Sequence, residues 1–289
     1  MKRRIVFFIL VVCCLAGLSI PASAEDYSVL PRYEGRERPE LEEVRVYFLS
    51  KLSGRAYERD GEIFVSLSEF AQLYDMNINL SADEKGFTAA AEGLDINAVA
   101  DTNYLTVNYR YVYLPSGYIL CGSDIYLPTD ALERIFGVSV RATEDRVDIS
   151  ARQCRLITGT EEYYKLNMPP DYQYWLPRII KSETEDEPLA GKIAVGNVVN
   201  NRVKSPRYPD SIYKVIYDNN TGVQFTPATT GALTSEPDEL SWIAACLCSE
   251  GYETVEDSLF FVNPENNGNY WFKSNCAYVT TVGRLEFYK

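Results

Sequence analysis

Apolar and polar positions in the first half of the chain repeat a pattern typical of a short strand followed by an amphipathic helix. A strand over 63–66 precedes the first helix, and a strand over 125–128 precedes the second, an offset of 62 residues. The apolar side chains of the two helices follow the i, i+3, i+4 spacing of one helical face: Phe70, Leu73 and Tyr74, then Leu132, Ile135 and Phe136. A hairpin is predicted between the copies, over 104–107 and 111–114. The pattern predicts a small duplicated α+β module at residues 45–151.

A different pattern, with longer helices, follows a connector at residues 152–175. Pro177 suits the first turn of a helix and Pro188 limits its end, so a short helix is predicted over 178–186. Further helices are predicted over 189–203, 212–217 and 238–248, and short strands over 259–262, 270–272, 277–282 and 285–288. Residues 176–289 are therefore expected to form a second domain, and the predicted fold class is α+β with two domains.

The chain begins with the three parts of a secretory signal peptide. Residues 2–4 are basic, residues 5–20 are an uncharged apolar run, and Ala22-Ser23-Ala24 offers the small residues that a signal peptidase reads. An uncleaved membrane anchor is the alternative, but the run is shorter than the ~20 residues that a spanning helix needs. We predict cleavage after Ala24, a secreted protein, and a polar linker over 25–44.

Net charge narrows the range of partners. The chain carries −13 at pH 7, and removal of residues 1–24, which hold three basic side chains and no acidic one, changes this value to −16. Nucleic acid is not an expected partner, because binding to the phosphate backbone requires a basic face. A strongly acidic surface is compatible with an extracellular protein that self-repulsion keeps soluble.

The sequence contains no histidine. Ser-His-Asp and Cys-His catalysis are therefore excluded, as are histidine-ligated zinc hydrolases. Five cysteines follow residue 24, an odd number that one chain cannot pair completely. The sequence predicts neither a metal site nor a cofactor. Carboxylate, Tyr, Ser or Lys chemistry remains open to a secreted enzyme of this composition. Cleavage of glycosidic bonds by carboxylates is the commonest of these.

An acidic run from Glu183 to Glu187 ends the first predicted helix of the second domain. The negative end of the helix dipole and the nearby carboxylates of Glu185, Asp186 and Glu187 would disfavour the charged form of Glu183 and raise its pKa. A general acid requires such a raised pKa. Without further information, a solvated helix end is the more common interpretation of an acidic run.

Residues 176–289 resemble the SleB-type cell wall hydrolases, the family of spore cortex-lytic enzymes. The matching blocks occur in the family's order, over 182–188, 191–195, 198–206, 208–212, 215–217, 224–227, 260–264, 271, 282–283 and 287–288. The first helix of the family ends in E-A-R-G-E-P, and its first glutamate, the catalytic acid, corresponds to Glu183. The resemblance implies a lysozyme-like α+β domain and favours catalysis over solvation for this residue.

The same resemblance implies residues that contact the substrate. These are Glu187, which matches the second glutamate of the motif, and Gln224, Phe225, Tyr270 and Trp271. The sequence also departs from the family: Thr184, Glu185 and Asp186 replace Ala, Arg and Gly, Thr230 replaces Asp, and Leu285 replaces His. The departures concern the surroundings of the acid and leave Glu183 itself in place.

Residues 45–151 resemble the N-terminal domain family first described in copper amine oxidases. The shared features are a strand, a start of the "(V/L)PL" type, a helix and closing strands, in duplicate. No copper ligand set accompanies them. The resemblance implies a small extracellular module of a kind often attached to cell-wall enzymes. A structural spacer is the favoured role, and contact with glycan or wall is the alternative.

Together with the signal peptide, the resemblance to SleB-type hydrolases implies a secreted enzyme of the cell wall or spore envelope. It is expected to cleave peptidoglycan glycan strands between N-acetylmuramic acid and N-acetylglucosamine. Because no second carboxylate is evident outside the acidic helix end, we expect a lytic transglycosylase in which Glu183 acts first as acid and then as base. A muramidase that uses water, or a catalytically weak wall-binding or regulatory protein, remains an alternative. The sequence leaves open whether the target is spore cortex or vegetative wall, and whether a protein partner exists.

Overall fold

The computed structural model of the chain describes residues 27–28, 42–49, 51–121, 123–143, 146–219, 225, 231–265 and 269–289; for 27, 28, 42, 43, 51–53, 55, 232, 269 and 270 it describes the backbone alone. The predicted signal peptide, 1–24, and most of the predicted linker, 25–44, lie outside these residues. None of the helices in the described ranges combines the length and apolar character needed to cross a bilayer.

The first half of the chain is rich in strands and carries two short helices. In chain order the elements are β1 Tyr27–Ser28, β2 Glu42–Phe48, β3 Lys51–Arg59, β4 Glu62–Ser66, α1 Leu67–Gln72, β5 Asn79–Asp83, β6 Gly86–Ala91, β7 Leu94–Val99, β8 Tyr104–Val107, β9 Arg110–Tyr113, β10 Ile119–Cys121, β11 Asp124–Pro128, α2 Thr129–Phe136, β12 Val140–Thr143 and β13 Arg146–Ile149. Both predicted strand-helix units and the predicted hairpin, β8–β9, are confirmed.

Local sequence signals set the ends of the helices. Ser66 caps α1, because its hydroxyl accepts a hydrogen bond from the backbone N–H of Glu69 at 3.0 Å. Helix α2 ends at Gly137, whose φ of 59° lies in the left-handed region that glycine adopts without strain. These signals explain why both helices are short.

Among the described residues, eight strands form one sheet in the order β1-β10-β11-β4-β3-β2-β13-β12. Strands β4 and β11 of the two predicted copies pair antiparallel, with Val65 opposite Leu127. The helices that follow them also meet, since the rings of Phe70 and Phe136 lie 4.7 Å apart. The two units thus share one core, while a duplication of sequence stays a prediction.

Strands β5 to β9 form a separate antiparallel sheet in sequential order. Burial alternates strictly along β7, where Leu94, Ile96 and Ala98 are buried and the residues between them are exposed. One face of this sheet therefore packs against the core of the module, as the two-residue period of a strand requires.

The second half of the chain is mainly helical, and a small sheet closes it. The elements are α3 Tyr163–Asn167, α4 Pro170–Glu183, α5 Leu189–Lys204, α6 Ile212–Ile216, a 3-10 turn over Ala232–Thr234, α7 Glu239–Ser249, β14 Phe260–Val262, α8 Asn269–Asn275, β15 Tyr278–Val282 and β16 Leu285–Tyr288. The α+β class is confirmed in both halves of the chain.

Helix α5 is the centre of this second region. On one side Ile193 and Val199 join the apolar cluster that contains residues of α4 and α7. On another side Val195 and Val198 pack against Phe287 of the small sheet. An apolar helix that is covered on both sides is buried along most of its length, so α5 fixes the position of α4 relative to the sheet.

Two predictions of local structure are wrong. Helix α4 begins at Pro170 and not at residue 178, because proline suits the first turn and the buried residues Leu176, Ile179 and Ile180 offset the hydrogen bond lost at Pro177. Part of the predicted connector is therefore helical. The predicted strand at 270–272 is part of helix α8. Aromatic residues favour strands only when their neighbours do.

The two regions of the chain pack against each other. Arg110 of β9 forms an ion pair with Glu250 at the end of α7, with its Nε 3.0 Å from Oε1. The ring of Tyr113 meets the ring of Tyr252 edge to face at 6.2 Å. The guanidinium of Arg134 lies 3.7 Å from the centre of the same Tyr252 ring. The boundaries proposed from the sequence stay a prediction, but the module is in contact with the second region.

We expect Arg110→Ala to destabilise the chain, because it leaves the largely buried carboxylate of Glu250 without its partner. The cost should be about 1–3 kcal/mol. Lys214→Ala is the matched control: it removes an exposed ion pair, with Asp210, and should leave the unfolding midpoint unchanged. Chemical denaturation followed by circular dichroism measures both. Equal effects of the two substitutions would contradict the contact between the regions.

Candidate active site

Glu183 is the last residue of α4, and its carboxyl group is turned into the protein. Its Oε1 atom is buried and makes no hydrogen bond within the described residues. Burial raises the pKa of Glu183 to about 7, while the positive charge of Arg202 opposes this rise. Since removal from water disfavours the charged form, the group can hold a proton near neutral pH. The structure therefore gives Glu183 the protonation state that a general acid needs.

The cause of the raised pKa differs from the one that the sequence indicated. Helix dipole and acidic neighbours were expected to raise it, but burial is the cause. Glu185 and Asp186 are exposed, where water screens their charges. Glu187 is already paired with Arg284. Spacing along the chain shows which charges are near, but it does not show how much water each keeps.

A buried lysine holds the end of α4 in place. The ammonium of Lys192 donates hydrogen bonds to the backbone oxygen of Thr184 at 2.9 Å and to the hydroxyl of Ser241 at 3.2 Å. Burial lowers the pKa of Lys192, and the carboxylate of Asp238, 3.9 Å away, opposes the shift. A cation at the carboxyl end of a helix is favourable, because the free carbonyl groups there carry partial negative charge. Sequence reasoning missed this residue; the signal was a lysine within the apolar stripe of α5.

Glu187 locks the loop after α4 to the small sheet. Its Oε1 accepts a hydrogen bond from Nε of Arg284 at 2.9 Å, and its Oε2 accepts one from the backbone N–H of Arg284 at 3.2 Å. The residue is only 5% exposed. A side chain at Gly283 would place its Cβ 2.0 Å from Oε2, so only glycine permits this approach. Both carboxylate oxygens of Glu187 are thus engaged within the protein, which gives the residue a positioning role. It also lines the cavity described below, and its contact with substrate stays a prediction.

Arg202 of α5 lies deep in the domain and influences Glu183 electrostatically. Its Nε donates a hydrogen bond to the backbone oxygen of Leu259 at 2.8 Å, and its guanidinium lies 4.8 Å from the centre of the Phe225 ring. Burial lowers the pKa of Arg202, and the carboxylate of Glu183 acts in the opposite direction. Phe225 was expected to contact substrate, but it is 1% exposed and packs under Arg202. The ring thus supports the arginine, and a substrate contact of Phe225 stays a prediction.

Glu183 opens onto a cavity of about 370 Å³ between the end of α4 and the small sheet. The lining residues come from these two elements: Ser182, Glu183, Thr184, Glu185, Asp186, Glu187, Phe261, Val262, Asn263, Arg284 and Leu285. A volume of this size is typical of a ligand site. The cavity brings together the candidate acid and four of the five positions where the sequence departs from the family, since Leu285 is also on its wall.

Among the remaining expected substrate contacts, only the side chain of Trp271 is described. Trp271 is 58% exposed on α8 and does not line the cavity. Gln224 and Thr230 lie outside the described residues, as does the side chain of Tyr270. Their roles stay predictions.

We expect Glu183→Gln to raise the stability of the folded chain at pH 8. Burial raises the pKa of Glu183 from 4.5 to about 7, so the folded chain holds this proton more tightly than the unfolded chain does. The resulting stability is fully present below pH ~4.5 and is lost as the pH rises to ~7. Glutamine is neutral throughout, so the variant should gain about 1–3 kcal/mol over the parent at pH 8 and nothing at pH 4.

Denaturation by urea at the two pH values measures this difference. Glu185→Gln, which changes an exposed carboxylate of the same loop, is the control and should alter stability little at either pH. A Glu183→Gln variant that is no more stable than the parent at pH 8 would show that the carboxyl group is not buried.

We also expect Gly283→Ala to cost more than Gly251→Ala. Both glycines have positive φ, 59° and 82°, where a side chain costs about 1–2 kcal/mol. Only at Gly283 does the new Cβ also collide with Glu187, whereas nothing lies within 4 Å of it at Gly251. The collision should add about 1–3 kcal/mol to the loss of stability. Thermal unfolding compares the two variants, and equal losses would argue against a tight Glu187 contact.

Comparison with known families identifies two regions. The cell wall hydrolase family matches residues 186–288, and the copper amine oxidase N-terminal domain family matches residues 48–150. The hydrolase match begins at Asp186, three residues after Glu183, so it does not include the candidate acid. The geometry of Glu183 and the sequence motif around it support that assignment.

Curated relatives are spore cortex-lytic enzymes. That of Bacillus subtilis strain 168 is 28% identical over 96 residues, which cover 33% of this chain and 30% of the relative. That of Halalkalibacterium halodurans is 27% identical over 125 residues, which cover 42% of this chain and 37% of the relative. The chain thus spans about a third of the length of these relatives.

Two solved structures are also similar. The catalytic domain of the germination-specific lytic transglycosylase SleB from Bacillus anthracis is 23% identical, with a TM-score of 0.38, over 43% of this chain and 98% of that domain. The catalytic domain of the Bacillus cereus SleB protein is 25% identical, with a TM-score of 0.37. That match covers 41% of this chain and 89% of the Bacillus cereus domain. By its family matches, the chain joins a copper amine oxidase N-terminal-like domain in its middle region to a C-terminal cell wall hydrolase domain with SleB homologues.

Proposed function

We propose that the protein is a secreted enzyme that cleaves peptidoglycan glycan strands as a lytic transglycosylase. The observation that carries the proposal is the state of the Glu183 carboxyl group. Its Oε1 is buried and has no hydrogen-bond partner among the described residues, and its pKa is about 7. The group lines a cavity whose other walls include residues of the region that matches the cell wall hydrolase family. SleB homologues, one of them described as a lytic transglycosylase, support the substrate class.

The reaction needs one group that gives and then takes a proton. Protonated Glu183 donates its proton to the oxygen that bridges N-acetylmuramic acid and N-acetylglucosamine, and the bond from that oxygen to C1 of the muramic acid breaks. The resulting carboxylate then accepts the proton of the C6 hydroxyl of the same muramic acid, whose oxygen bonds to C1. The products are a 1,6-anhydro sugar and a free hydroxyl on the leaving sugar, and Glu183 regains its proton.

The surroundings of Glu183 suit both halves of this cycle. Burial stabilises the protonated form that the first step uses. The positive charge of Arg202 favours the carboxylate that the second step uses. Because catalysis is most efficient when the pKa lies near the working pH, a group balanced near 7 serves in both roles.

A muramidase that uses water is the second candidate. It would need another carboxylate near the acid to activate water or to form a covalent intermediate. Glu185 and Asp186 line the same cavity and are exposed, which is the observation that keeps this candidate open. Secretion, contact of the module with the wall, and the choice between spore cortex and vegetative wall belong to the proposal. A catalytically weak wall-binding or regulatory role is the remaining alternative.

We expect Glu183→Gln to fold normally and to lose wall cleavage by a factor of ~10³ or more, since it keeps the shape of the side chain and removes the proton donor. Release of dye from labelled, purified peptidoglycan measures the activity. Glu185→Gln is the matched control and should keep most of it. Full cleavage by the folded Glu183→Gln variant would refute the assignment of the acid.

The product decides between the two reactions. Mass spectrometry of the digested glycan should show 1,6-anhydro-muramic ends, whose mass lacks the water that hydrolysis adds. Reducing ends that carry one added water would make the enzyme a muramidase. In that case Glu185→Gln and Asp186→Asn would identify the second carboxylate, and only the variant that loses activity would carry it.

A further inference from the structure

A second cavity, of about 410 Å³, lies where the module meets the hydrolase region. Strands β7 to β9 contribute Asp95, Tyr109 and Tyr111 to its wall. The segment around α3 contributes Glu161 and Tyr164, and α7 contributes Trp242. It shares no lining residue with the cavity at Glu183. This second cavity therefore depends on both regions of the chain and is separate from the candidate active site.

The floor of the second cavity is rigid and aromatic. The rings of Tyr111 and Tyr164 are stacked, with centres 5.5 Å apart and planes 18° from parallel. The backbone N–H of Tyr111 donates a hydrogen bond to the Tyr164 hydroxyl at 2.8 Å, which fixes the pair. The stacked pair gives the cavity an apolar floor. Tyr109 lines the same cavity and is 63% exposed, so its ring can meet the apolar face of a ligand.

The turn between β8 and β9 explains the backbone conformation of Tyr109, but it does not explain why the residue is a tyrosine. Tyr109 follows Asn108 in the two-residue turn between β8 and β9. The φ angle is 67° at Tyr109 and 48° at Asn108. A turn of this kind favours glycine at its second position, because the left-handed conformation crowds any side chain. The tyrosine gains little by burial, since it is 63% exposed. A strained backbone that presents an exposed ring at a cavity is a sign of ligand contact.

Two carboxylates and one lysine complete the charged part of the wall. The ammonium of Lys165 is paired with Glu162 at 3.0 Å, so the charge that the cavity offers to a ligand is negative. Asp95 and Glu161 are exposed, and no hydrogen bond or ion pair engages their side-chain oxygens within the described residues. Carboxylate oxygens accept hydrogen bonds from hydroxyl and amide N–H groups. Aromatic rings can pack against the C–H faces of a pyranose, and carboxylates can accept hydrogen bonds from its polar edge. The cavity therefore offers partners for both sides of a sugar.

We propose that this second cavity is a glycan-binding site that takes N-acetylglucosamine units. Charge favours N-acetylglucosamine over N-acetylmuramic acid. Asp95 and Glu161 repel the lactyl carboxylate of muramic acid, whereas they can accept hydrogen bonds from the neutral sugar. The proposal rests on the proposed function for its substrate class. It gives the module a direct part in holding the strand beside the hydrolase domain.

The test measures binding of a neutral N-acetylglucosamine tetramer to the full chain by isothermal titration calorimetry. Glu183→Gln is present throughout, so that no strand is cut. Tyr109→Gly should weaken binding about tenfold, the order of one lost aromatic contact. The same variant should raise the melting midpoint, because glycine relieves the strained turn.

Asp101→Gly is the matched control. Asp101 has a φ of 62° and lies at the other end of β8, outside the cavity. The Asp101→Gly substitution relaxes a similar backbone conformation and should leave binding of the tetramer unchanged. Asp95→Asn combined with Glu161→Gln should weaken binding of the neutral tetramer and admit a muramic acid-containing strand more readily.

Three results would overturn the proposal. They are unchanged binding in Tyr109→Gly, no binding of the tetramer by the parent at millimolar concentration, and binding in the cavity of an amine-bearing stem peptide in place of the sugar. Cleavage assays on chains with Glu183 intact are independent of this measurement. If the chain cleaves peptidoglycan but does not bind the tetramer in this cavity, the glycan site is wrong and the proposed function stands. If the chain binds the tetramer but does not cleave peptidoglycan, the proposed function is wrong and the glycan site stands.

Discussion

The carboxyl group of Glu183 is held out of water at the end of α4, and much of the local structure serves to keep it there. A helix end and a loop would normally move to give such a group access to solvent, since its burial without a hydrogen bond is unfavourable. Lys192 holds the helix end by bonding the Thr184 carbonyl, and Glu187 holds the following loop by bonding Arg284. These contacts come from α5 and from the turn between β15 and β16, which explains why the buried helix α5 matters for the site.

The balance at Glu183 is between burial and one distant positive charge. Burial favours the protonated form and is the larger of the two effects, whereas the positive charge of Arg202 favours the carboxylate. Among the described residues no hydrogen bond joins Arg202 to Glu183, so the guanidinium acts through its charge, and the pKa of Glu183 lies at about 7. Phe225 packs against the guanidinium and helps to hold it there.

Periodicity and family resemblance predicted most elements, including the strand-helix units, α5 and α7, and they predicted Glu183 itself. They failed where the outcome depends on tertiary contacts. Helix α4 starts earlier than predicted because buried residues compensate for Pro177, and α8 is helical despite its aromatic sequence. The partners Glu187 and Arg284 are far apart in sequence, so no local pattern could show that this carboxylate is engaged. The second cavity could not be predicted either, because its wall forms only when the two regions meet.

The protonation state of Glu183 is the most direct test of this account. A chain labelled with ¹³C at glutamate side-chain carboxyl groups can be titrated by NMR, and comparison with Glu183→Gln assigns the signal. The account predicts a pKa of about 7, far above the ordinary value of 4.5. A titration midpoint below 5 would mean that the carboxyl group is solvated, and it would contradict both the buried site and its role as the acid.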